Sequence, residues 1–346
     1  MEKISRIGMD TSKNVFQLHG VDETGQVVLR KKLTRQAMVL FFEKLPPTVV
    51  GIEACGGSHH WARLLGSFGH RVKLVPAQYA KPYVKRGKND AADAEAICEA
   101  ISRPSMRFVP VKSPQQQSVQ MLMGMRQRLI VRRTQLSNSI RSYAAEFGLV
   151  AARGLVKLEP LLARIEQEPD LPALARDLFR IHAAEYAQLQ MQLRKIEAML
   201  MVLHRENEVS RRLAQIPGIG PIGAMLLTAR VTDAKAFACG RNFAAWIGLT
   251  PKNHSTGGKT RLGGITRAGD EALRSTLVVG ATSVLRHVRS GRGYASPWLV
   301  GLLKRKPPKL VAVALANKIA RIAWKLMVSG QCYNPNYGVA VTMATV

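Results

Sequence analysis

The hydrophobic pattern of residues 1–110 alternates short strand-like runs with helical stretches. Three runs with alternating apolar residues, at 4–9, 15–21 and 27–33, are separated by turn residues and predict three early strands. Helical periodicity over 35–43, 59–68 and 91–102 then alternates with buried strands at 49–52 and 71–75. This order of elements predicts a mixed α/β sheet, and not an all-parallel one.

Between residues 111 and 207 the apolar positions adopt a different period. In the first half of this region they recur every seventh residue, at Leu122, Leu129, Leu136 and Tyr143. In the second half they follow a spacing of three and four residues, at Tyr186, Leu189, Leu193, Ile196, Leu200 and Leu203. Such spacing is typical of a coiled-coil seam. We expect a coiled-coil helical region, either folded back as an antiparallel hairpin of helices or shared between chains.

The first helix of this region is rich in arginine. Its cations are Arg126, Arg128, Arg132, Arg133 and Arg141, and a single acid, Glu146, comes late. A charge run on a helix usually forms a solvated face, but an excess of one sign also suits an interaction with nucleic acid. Arg126, Arg132 and Arg133 are therefore candidate nucleic-acid-binding residues, with a solvated face as the alternative.

From residue 208 to the end the pattern is mostly helical, and it opens with a glycine- and proline-rich segment. Residues 216–224 read Ile-Pro-Gly-Ile-Gly-Pro-Ile-Gly-Ala, which resembles a helix-hairpin-helix motif. Glycine lets backbone amides approach a phosphate because no Cβ stands in the way, and the N-terminus of a following helix adds positive potential. Gly218 and Gly220 are therefore candidate phosphate contacts, with an ordinary turn between two helices as the alternative.

The charge of the chain indicates the class of its partner. Lys and Arg together number 51, and Asp and Glu number 23, so the formal net charge is +28. Basic side chains displace condensed counterions from phosphate polymers, which makes nucleic acid the expected partner. A protein that binds membranes would concentrate its charge beside an apolar anchor, whereas here the charge is spread along the chain.

The cysteines and the apolar stretches indicate the cellular compartment in which the protein is expected. The four cysteines lie far apart without a CxxC pair, so neither a zinc knuckle nor a disulfide framework is supported, and a reducing cytosol fits. The N-terminus lacks the apolar segment of a secretory signal. The most apolar stretch, 310–328, contains Lys318, Arg321 and Lys325 and predicts a soluble helix.

Four acidic residues stand out on this basic chain: Asp10, Glu53, Asp90 and Asp93. Asp10 and Glu53 follow predicted strands, while Asp90 and Asp93 lie three residues apart at the start of a predicted helix, hence on one face. An Asx turn explains Asp10 alone and a helix cap explains Asp90 alone, but neither explains all four. Carboxylates gathered in this way are what a hard divalent cation needs. The pattern predicts Mg²⁺ (or Mn²⁺) and phosphoryl chemistry on a nucleic-acid backbone.

The sequence around these carboxylates resembles a known family. Residues 7–13 (Ile-Gly-Met-Asp-Thr-Ser-Lys), Glu53 at its strand end, and residues 88–94 (Lys-Asn-Asp-Ala-Ala-Asp-Ala) look like the tetrad of the DEDD-type insertion-sequence transposases. That group includes the Piv invertases and the bridge-RNA-guided recombinases. A second block agrees, with Phe-Ala-Ala-Trp-Ile-Gly-Leu-Thr-Pro at 243–251, His-Ser-Thr-Gly-Gly-Lys at 254–259 and Ile-Thr-Arg-Ala-Gly-Asp at 265–270. The resemblance covers essentially the whole chain.

The resemblance implies a fold of α/β plus α class in three parts. These are a RuvC-like, RNase-H-like DEDD domain at 1–110, a coiled-coil helical region at 111–207, and a mostly helical transposase domain at 208–346 with the helix-hairpin-helix-like motif and a serine loop. It further implies excision and insertion of a mobile element, with donor and target DNA paired to a structured non-coding guide RNA. Because two duplexes must be held together, we expect a homodimer or homotetramer, in the bacterial cytoplasm and associated with the nucleoid.

In the family a serine of the C-terminal domain is the nucleophile and leaves a covalent protein–DNA intermediate. Ser255 matches that position, although an ungapped alignment from residues 249–251 reaches Thr256 instead. The primary hydroxyl is less hindered than that of the β-branched threonine, which favours Ser255. A flexible phosphate-contacting loop without a covalent role is the alternative. Four flanking cations are expected to hold DNA phosphates on either interpretation: Lys252, Lys259, Arg261 and Arg267.

Two rival functions remain open at this point. A RuvC-like nuclease would hydrolyse DNA with a metal-activated water and would have no need of Ser255. A non-catalytic architectural protein would bind DNA or RNA and would have no need of Asp10. A third function, that of an actin-like kinase, is suggested by Asp-Thr-Ser-Lys after the first strand, which is similar to a phosphate loop. It is disfavoured because a second glycine-rich phosphate loop is missing and the net charge is +28.

Overall fold

The computed structural model describes residues 4–84, 89–293 and 296–335, so that Lys88 of the second acidic motif lies outside the described residues. The chain divides into two compact units, Met1–Gln116 and Gln117–Val346.

A five-stranded sheet forms the centre of the first unit. Its strands are β1 (Arg6–Thr11), β2 (Val15–Val21), β3 (Val27–Thr34), β4 (Val49–Glu53) and β5 (Arg71–Val75), in the spatial order β3-β2-β1-β4-β5. β2 pairs antiparallel with β1 and β3, whereas β1 pairs parallel with β4, and β4 with β5. The helices are α1 (Arg35–Lys44), α2 (Ser58–Ser67), the short α3 (Ala77–Ala80) and α4 (Asp90–Ala100). The predicted mixed sheet is confirmed, and it is compatible with an RNase-H-like domain.

Two glycines bring α4 directly onto the sheet. A Cβ on Gly8 would lie 2.1 Å from the carbonyl oxygen of Ala94, and a Cβ on Gly51 would lie 2.6 Å from Cγ2 of Ile101. Because side chains alternate along a strand, Ile7 and Met9 point to the opposite face, where they are buried in the main hydrophobic cluster of this unit. α4 therefore packs closely across β1 and β4 on one face.

In the second unit two long helices run antiparallel. α5 (Pro114–Glu146) and α7 (Ala173–Glu206) are joined through α6 (Leu158–Gln167). Most of the predicted seam residues belong to one buried cluster, and Leu203 packs partly buried against it. Tyr143 is the exception: it is 49% exposed, so its place in the seam was wrongly predicted. Arg126 pairs with Glu197 and Arg132 with Glu185, so positions that rise along α5 meet positions that fall along α7. The antiparallel arrangement was one of the two left open by the sequence, and supercoiling of the pair stays a prediction.

The rest of this unit is helical apart from one two-stranded hairpin. The helices are α8 (Glu208–Leu213), α9 (Pro221–Arg230), α10 (Gly240–Ile247), α11 (Glu271–Arg289), α12 (Pro297–Arg305) and α13 (Pro308–Ser329), and the strands are β6 (Pro251–Asn253) and β7 (Leu262–Ile265). One hydrophobic cluster extends from Leu122 to Leu326. A boundary at 207/208 is thus not visible as a break in the core, and the division into three domains stays a prediction. Over the described ranges, none of the helices is long and apolar enough to cross a lipid bilayer.

Candidate active site

The first half of the candidate site lies at one edge of the sheet. β1 and β4 are parallel neighbours, with Met9 opposite Ile52, so the next residue of each strand, Asp10 and Glu53, lies at the same carboxyl edge. Both carboxylates are half-buried.

The helix α4 brings the other two carboxylates to this edge. Its Cys98 lies beside Arg6, with 3.9 Å from the thiol sulfur to the arginine carbonyl oxygen, and its Ala94 lies against Gly8. The helix therefore runs antiparallel to β1, and its first turn, with Asp90 and Asp93, is nearest to the end of β1. Asn89 caps the helix by accepting the amide proton of Ala92 at 2.8 Å, so Asp90 is the first residue of the helix and not its cap.

Electrostatics show that the four carboxylates share one neighbourhood. The pKa of Asp10 is raised from 3.8 to about 6, first by burial and then by the charges of Asp90 and Asp93, with a smaller contribution from Glu53. The amide of Thr11 opposes the rise in pKa by donating a hydrogen bond. Like charges that raise a pKa in this way are relieved by a cation between them. Within the described part of the chain, none of the four forms a salt bridge.

The donor set suits a hard cation, because all four groups offer carboxylate oxygens. In their present side-chain positions, no three Asp, Glu, His or Cys residues of the described ranges are grouped closely enough to ligate one ion. Binding would therefore require rotation of these side chains toward a common point. The identity of the ion and its ligand set stay predictions.

One residue at this edge was missed by the sequence reasoning. Cys55 follows Glu53 by two positions, and its sulfur lies 3.5 Å from the hydroxyl oxygen of Thr11, which follows Asp10. Ser58 holds the turn, because its hydroxyl accepts from the Cys55 amide at 3.1 Å and donates to the Cys55 carbonyl at 2.9 Å. A cysteine two residues after a strand-end carboxylate was the available signal.

The second half of the candidate site is the hairpin formed by β6 and β7. At its tip, Thr256 and Lys259 form an antiparallel bridge, with the Lys259 amide 3.0 Å from the Thr256 carbonyl oxygen. Between them, Gly257 and Gly258 have φ angles of 54° and 78°. Two successive positive φ angles are those of a type I′ turn, whose twist matches that of the strands. The two glycines thus shape a tight hairpin tip, and the choice between a nucleophilic serine and a phosphate-contacting loop stays open.

Ser255 is held at the base of that tip. Its amide donates to Oδ1 of Asn253 at 2.9 Å, and its hydroxyl oxygen accepts the Arg261 amide proton at 2.9 Å. The side chain is exposed, and accepting this bond leaves the hydroxyl proton available for transfer. His254 does not face it, because the His254 ring packs against Gly263 of β7.

The hairpin surface is strongly positive. The four predicted phosphate contacts, Lys252, Lys259, Arg261 and Arg267, are all exposed, and residues 251–269 contain no acid. Arg267 is the one non-glycine residue of the described ranges with a positive φ, at 56°. Its amide donates to the Gly248 carbonyl at 3.2 Å. Strained backbone of this kind persists where surrounding structure holds it.

The two candidate glycines of the helix-hairpin-helix-like segment have different surroundings. Gly218 has a φ of 94°, and its position is closed by α11, since a Cβ on Gly280 would lie 1.8 Å from the Gly218 carbonyl oxygen. Gly220 is exposed at the start of α9, and nothing lies within 4 Å of its Cβ direction. Gly218 therefore has a clear packing role, and phosphate contact at either glycine stays a prediction.

The three candidate arginines of α5 contact α7. Arg126 donates to Glu197 at 2.9 and 2.6 Å, Arg132 to Glu185 at 3.2 Å, and Arg133 to Gln190 at 3.1 Å. These bonds give each arginine a structural partner within the chain. Their contact with nucleic acid stays a prediction.

Comparison with known proteins gives the same answer in both halves of the chain. Residues 7–147 match the IS110 DEDD-type family model, described as a transposase, and residues 210–296 match the transposase IS116/IS110/IS902 family. The y4pF/y4sB protein of Sinorhizobium fredii, which carries a transposase name, is 65% identical over 99% of this chain and 89% of its own length. The transposase for insertion sequence element IS1328 of Yersinia enterocolitica is 39% identical over 96% of this chain and 100% of its own length. The transposase for insertion sequence element IS1111A of Coxiella burnetii is 39% identical over 96% and 92%.

Proposed function

Because the chain belongs to the IS110-type family of insertion-sequence transposases, we propose that this DNA transposase is an RNA-guided recombinase in which Ser255 attacks the DNA backbone. The observation that carries the proposal is the hydroxyl of Ser255, exposed on a hairpin of cations with its oxygen fixed by the Arg261 amide at 2.9 Å. A nucleophile needs this combination of fixed position and access.

The proposed step is an in-line displacement at phosphorus. The Oγ of Ser255 forms a bond to the phosphorus, the bond from phosphorus to one deoxyribose oxygen breaks, and that oxygen leaves with a proton. The serine proton passes to a base, for which His254 is not positioned, because its ring packs against Gly263. Lys259 and Arg261, both exposed on the same hairpin, are proposed to offset the charge that develops on the phosphoryl oxygens. The product is a phosphodiester between the protein and one DNA end.

The acidic edge of the first unit is proposed to hold Mg²⁺ or Mn²⁺ through Asp10, Glu53, Asp90 and Asp93. When bound, such an ion polarises a phosphoryl oxygen and stabilises an attacking or leaving oxygen. Because the pKa of Asp10 is about 6, its side chain is a charged ligand only when the pH is above that value, unless the ion itself lowers the pKa. The proposal is supported by three neighbouring carboxylates that raise the pKa of Asp10, and by the absence of salt bridges to them in the described ranges.

The test is formation of a covalent adduct. End-labelled donor DNA is incubated with the full-length chain, Mg²⁺ and the guide RNA encoded beside the gene, and the products are separated on a denaturing gel. We expect a labelled band at the mass of the protein plus one DNA strand, which disappears on proteinase treatment. Ser255→Ala should abolish the band, whereas Thr256→Ala, one residue away on the same tip, should retain it. A band that survives in Ser255→Ala and vanishes in Thr256→Ala would make Thr256 the nucleophile.

The same assay separates the two rivals. A metal-dependent nuclease is supported by the location of Asp10 and of the three carboxylates that raise its pKa, all of which belong to the first unit. It would cleave DNA without any adduct, and Ser255→Ala would stay active. A purely architectural protein would keep its biological activity in Asp10→Ala.

The guide RNA and the oligomer are the remaining parts of the proposal. The family and the net charge of +28 support a large nucleic-acid surface. Omission of the RNA should abolish adduct formation on the cognate donor, while a scrambled RNA of equal length should not restore it. Light scattering of the complex with both DNAs should give two or four protein chains, and association with the nucleoid follows from DNA binding.

A further inference from the structure

The second unit contains a large cleft beside the hairpin of β6 and β7 that carries Ser255. Its volume is about 1110 Å³, and one wall is formed by Pro251, Gly264 and Ile265 of the hairpin strands, while α13 forms another. Ligand sites in proteins typically enclose roughly 300–1,000 Å³. The cleft is thus large enough for a nucleotide.

The chemistry of the cleft is a combination of apolar surface and positive charge. Lys318, Arg321 and Lys325 line it from α13, and their spacing of three and four residues puts them on one face of that helix. Arg241 joins them from α10, which packs against Arg321, since a Cβ on Gly240 would lie 3.3 Å from the Arg321 Cβ. All four cations are exposed, and none of the described residues that line the cleft is acidic. An anionic ligand is therefore favoured.

An exposed indole supplies a flat surface in the same cleft. Trp298 of α12 is 41% exposed, although most tryptophans are largely buried. The ammonium of Lys318 lies 4.5 Å from the centre of its ring, so the indole is held in place by a cation–π contact. Exposed aromatic rings beside cations are the arrangement by which proteins bind unstacked bases.

We propose that this cleft is a subsite for one unstacked nucleotide of a single strand, whose base stacks on Trp298 and whose phosphate lies between Arg241 and Arg321. The inference deepens the proposed function, since it takes the nucleic acid of that function as the ligand. Because the wall of the cleft belongs to the hairpin of Ser255, a strand placed at the serine would have a neighbouring nucleotide within reach of the cleft. The single strand can come from DNA or from RNA.

Cys239 marks the same position at the N-terminus of α10. It precedes Gly240 at the N-terminus of α10 and lines the cleft. The pKa of its thiol is lowered, first by the amide of Asn242, and further by the amide of Arg241 and the charges of Arg241 and Arg321. The same amides and guanidinium groups that favour a thiolate favour a phosphate.

The test measures binding and not cleavage, so that it is independent of the serine chemistry. The full-length Ser255→Ala chain, without divalent cations, is titrated with short single strands of DNA and of RNA that contain 2-aminopurine, and with the matched strands that carry an abasic site. We expect the 2-aminopurine fluorescence to be quenched on binding, and the abasic strand to bind about tenfold more weakly. The strand type that shows the larger base effect identifies the source of the nucleotide.

Variants then locate the effect in the cleft. Trp298→Ala should remove the quenching and most of the tenfold preference, while Trp298→Phe should retain part of both. Arg321→Gln should reduce the slope of log affinity against log salt concentration by about 0.7. Lys309→Gln removes the same charge from the first turn of α13, outside the cleft, and tests whether the loss is specific to the cleft. Bound strand should also slow the alkylation of Cys239.

The proposal fails if the chain that retains Trp298 binds the 2-aminopurine strand and the abasic strand equally well. It also fails if the preference for the strand with the base survives in Trp298→Ala. It also fails if Lys309→Gln lowers affinity as much as Arg321→Gln does, because the cations would then act only as a general positive surface. Loss of the covalent adduct in the previous assay leaves these binding results unchanged, so the two proposals can fail separately.

Discussion

Replacing Asp10 with Asn is expected to stabilise the first unit at neutral pH while it removes the proposed catalytic function. The native structure raises the pKa of Asp10 from 3.8 to about 6, so it binds this proton more tightly than the unfolded chain does. The contribution of Asp10 to the free energy of unfolding must therefore fall as pH rises from about 4 to 6, and the full loss is present above pH 6. Asparagine carries no charge and escapes the loss.

The magnitude follows from the same pKa. A rise from 3.8 to about 6 corresponds to about 3 kcal/mol of unfavourable interaction for the charged form. Because the Asp10 side chain is only half-buried, solvent screens part of this energy, and we expect about 1.5 kcal/mol. Hydrogen exchange of peptides from β1 and β2, with EDTA present, should thus be about tenfold slower in Asp10→Asn than in wild type at pH 8. Near pH 4 the difference should vanish.

Control measurements separate this explanation from a general effect of lost negative charge. Asp22 lies in the β2–β3 turn of the same unit and accepts the amides of Thr24 and Gln26, each at 2.9 Å, and its pKa is lowered, first by the hydroxyl of Thr24. Asp22→Asn should therefore not slow exchange. Mg²⁺ at ten times its dissociation constant should stabilise wild type by about 1.4 kcal/mol and leave Asp10→Asn unchanged. Equal exchange of wild type and Asp10→Asn at pH 8, or a difference that does not depend on pH, would refute the reasoning.

Three further outcomes are expected from other parts of the chain. Gly218→Ala should destabilise the second unit by about 2 kcal/mol in urea unfolding, because the φ of Gly218, 94°, is unfavourable for alanine. Gly220→Ala should change stability little, because the φ of Gly220 is −83°. Similar losses of stability in both variants would contradict the packing role of Gly218. Arg126→Ala should lower stability by about 1 kcal/mol, because Glu197 loses its hydrogen-bonded partner. Arg128 is exposed, and Arg128→Ala should leave the urea midpoint unchanged. A larger loss of stability in Arg128→Ala than in Arg126→Ala would contradict the assigned contact. His59 acts in the opposite direction to Asp10: burial lowers its pKa to about 4, so it should reduce stability as pH falls from 6.5 to 4. The measurement is made in Asp10→Asn, where the opposing Asp10 contribution is gone, and a flat profile in that variant would exclude the effect.

The sequence was sufficient for elements whose signals are local. The strand at 71–75 was predicted to the residue, and the buried strand predicted at 49–52 ends one residue later, at Glu53. Period-two alternation and flanking turn residues determine such strands without help from distant parts of the chain. The helix start at Asn89 was equally local, since an N-cap bonds only to the next turn. Placing Asp10 and Glu53 at strand ends was therefore within reach.

A single sequence does not reveal close contacts between residues that lie far apart along the chain. Nothing around Gly8 indicates that its absent side chain admits a carbonyl oxygen of α4 from more than 80 residues away, yet this contact brings Asp90 and Asp93 toward Asp10. The approach of Gly218 to Gly280 is of the same kind. In both cases a glycine that reads as a flexible position is a steric requirement set by a distant element.

The arginines of α5 show how this limit affects an argument from charge. Counting acids along α5 alone left its cations without partners, but α7 runs antiparallel beside it and supplies Glu197 and Glu185. The excess of positive charge must therefore be sought where no neighbouring element supplies acids. The hairpin of residues 251–269 and the cleft-lining face of α13 are two such surfaces, since neither contains an acid. Since these surfaces meet at Pro251 and Ile265, we expect charge-reversing substitutions there to weaken nucleic-acid binding far more than equal changes along α5.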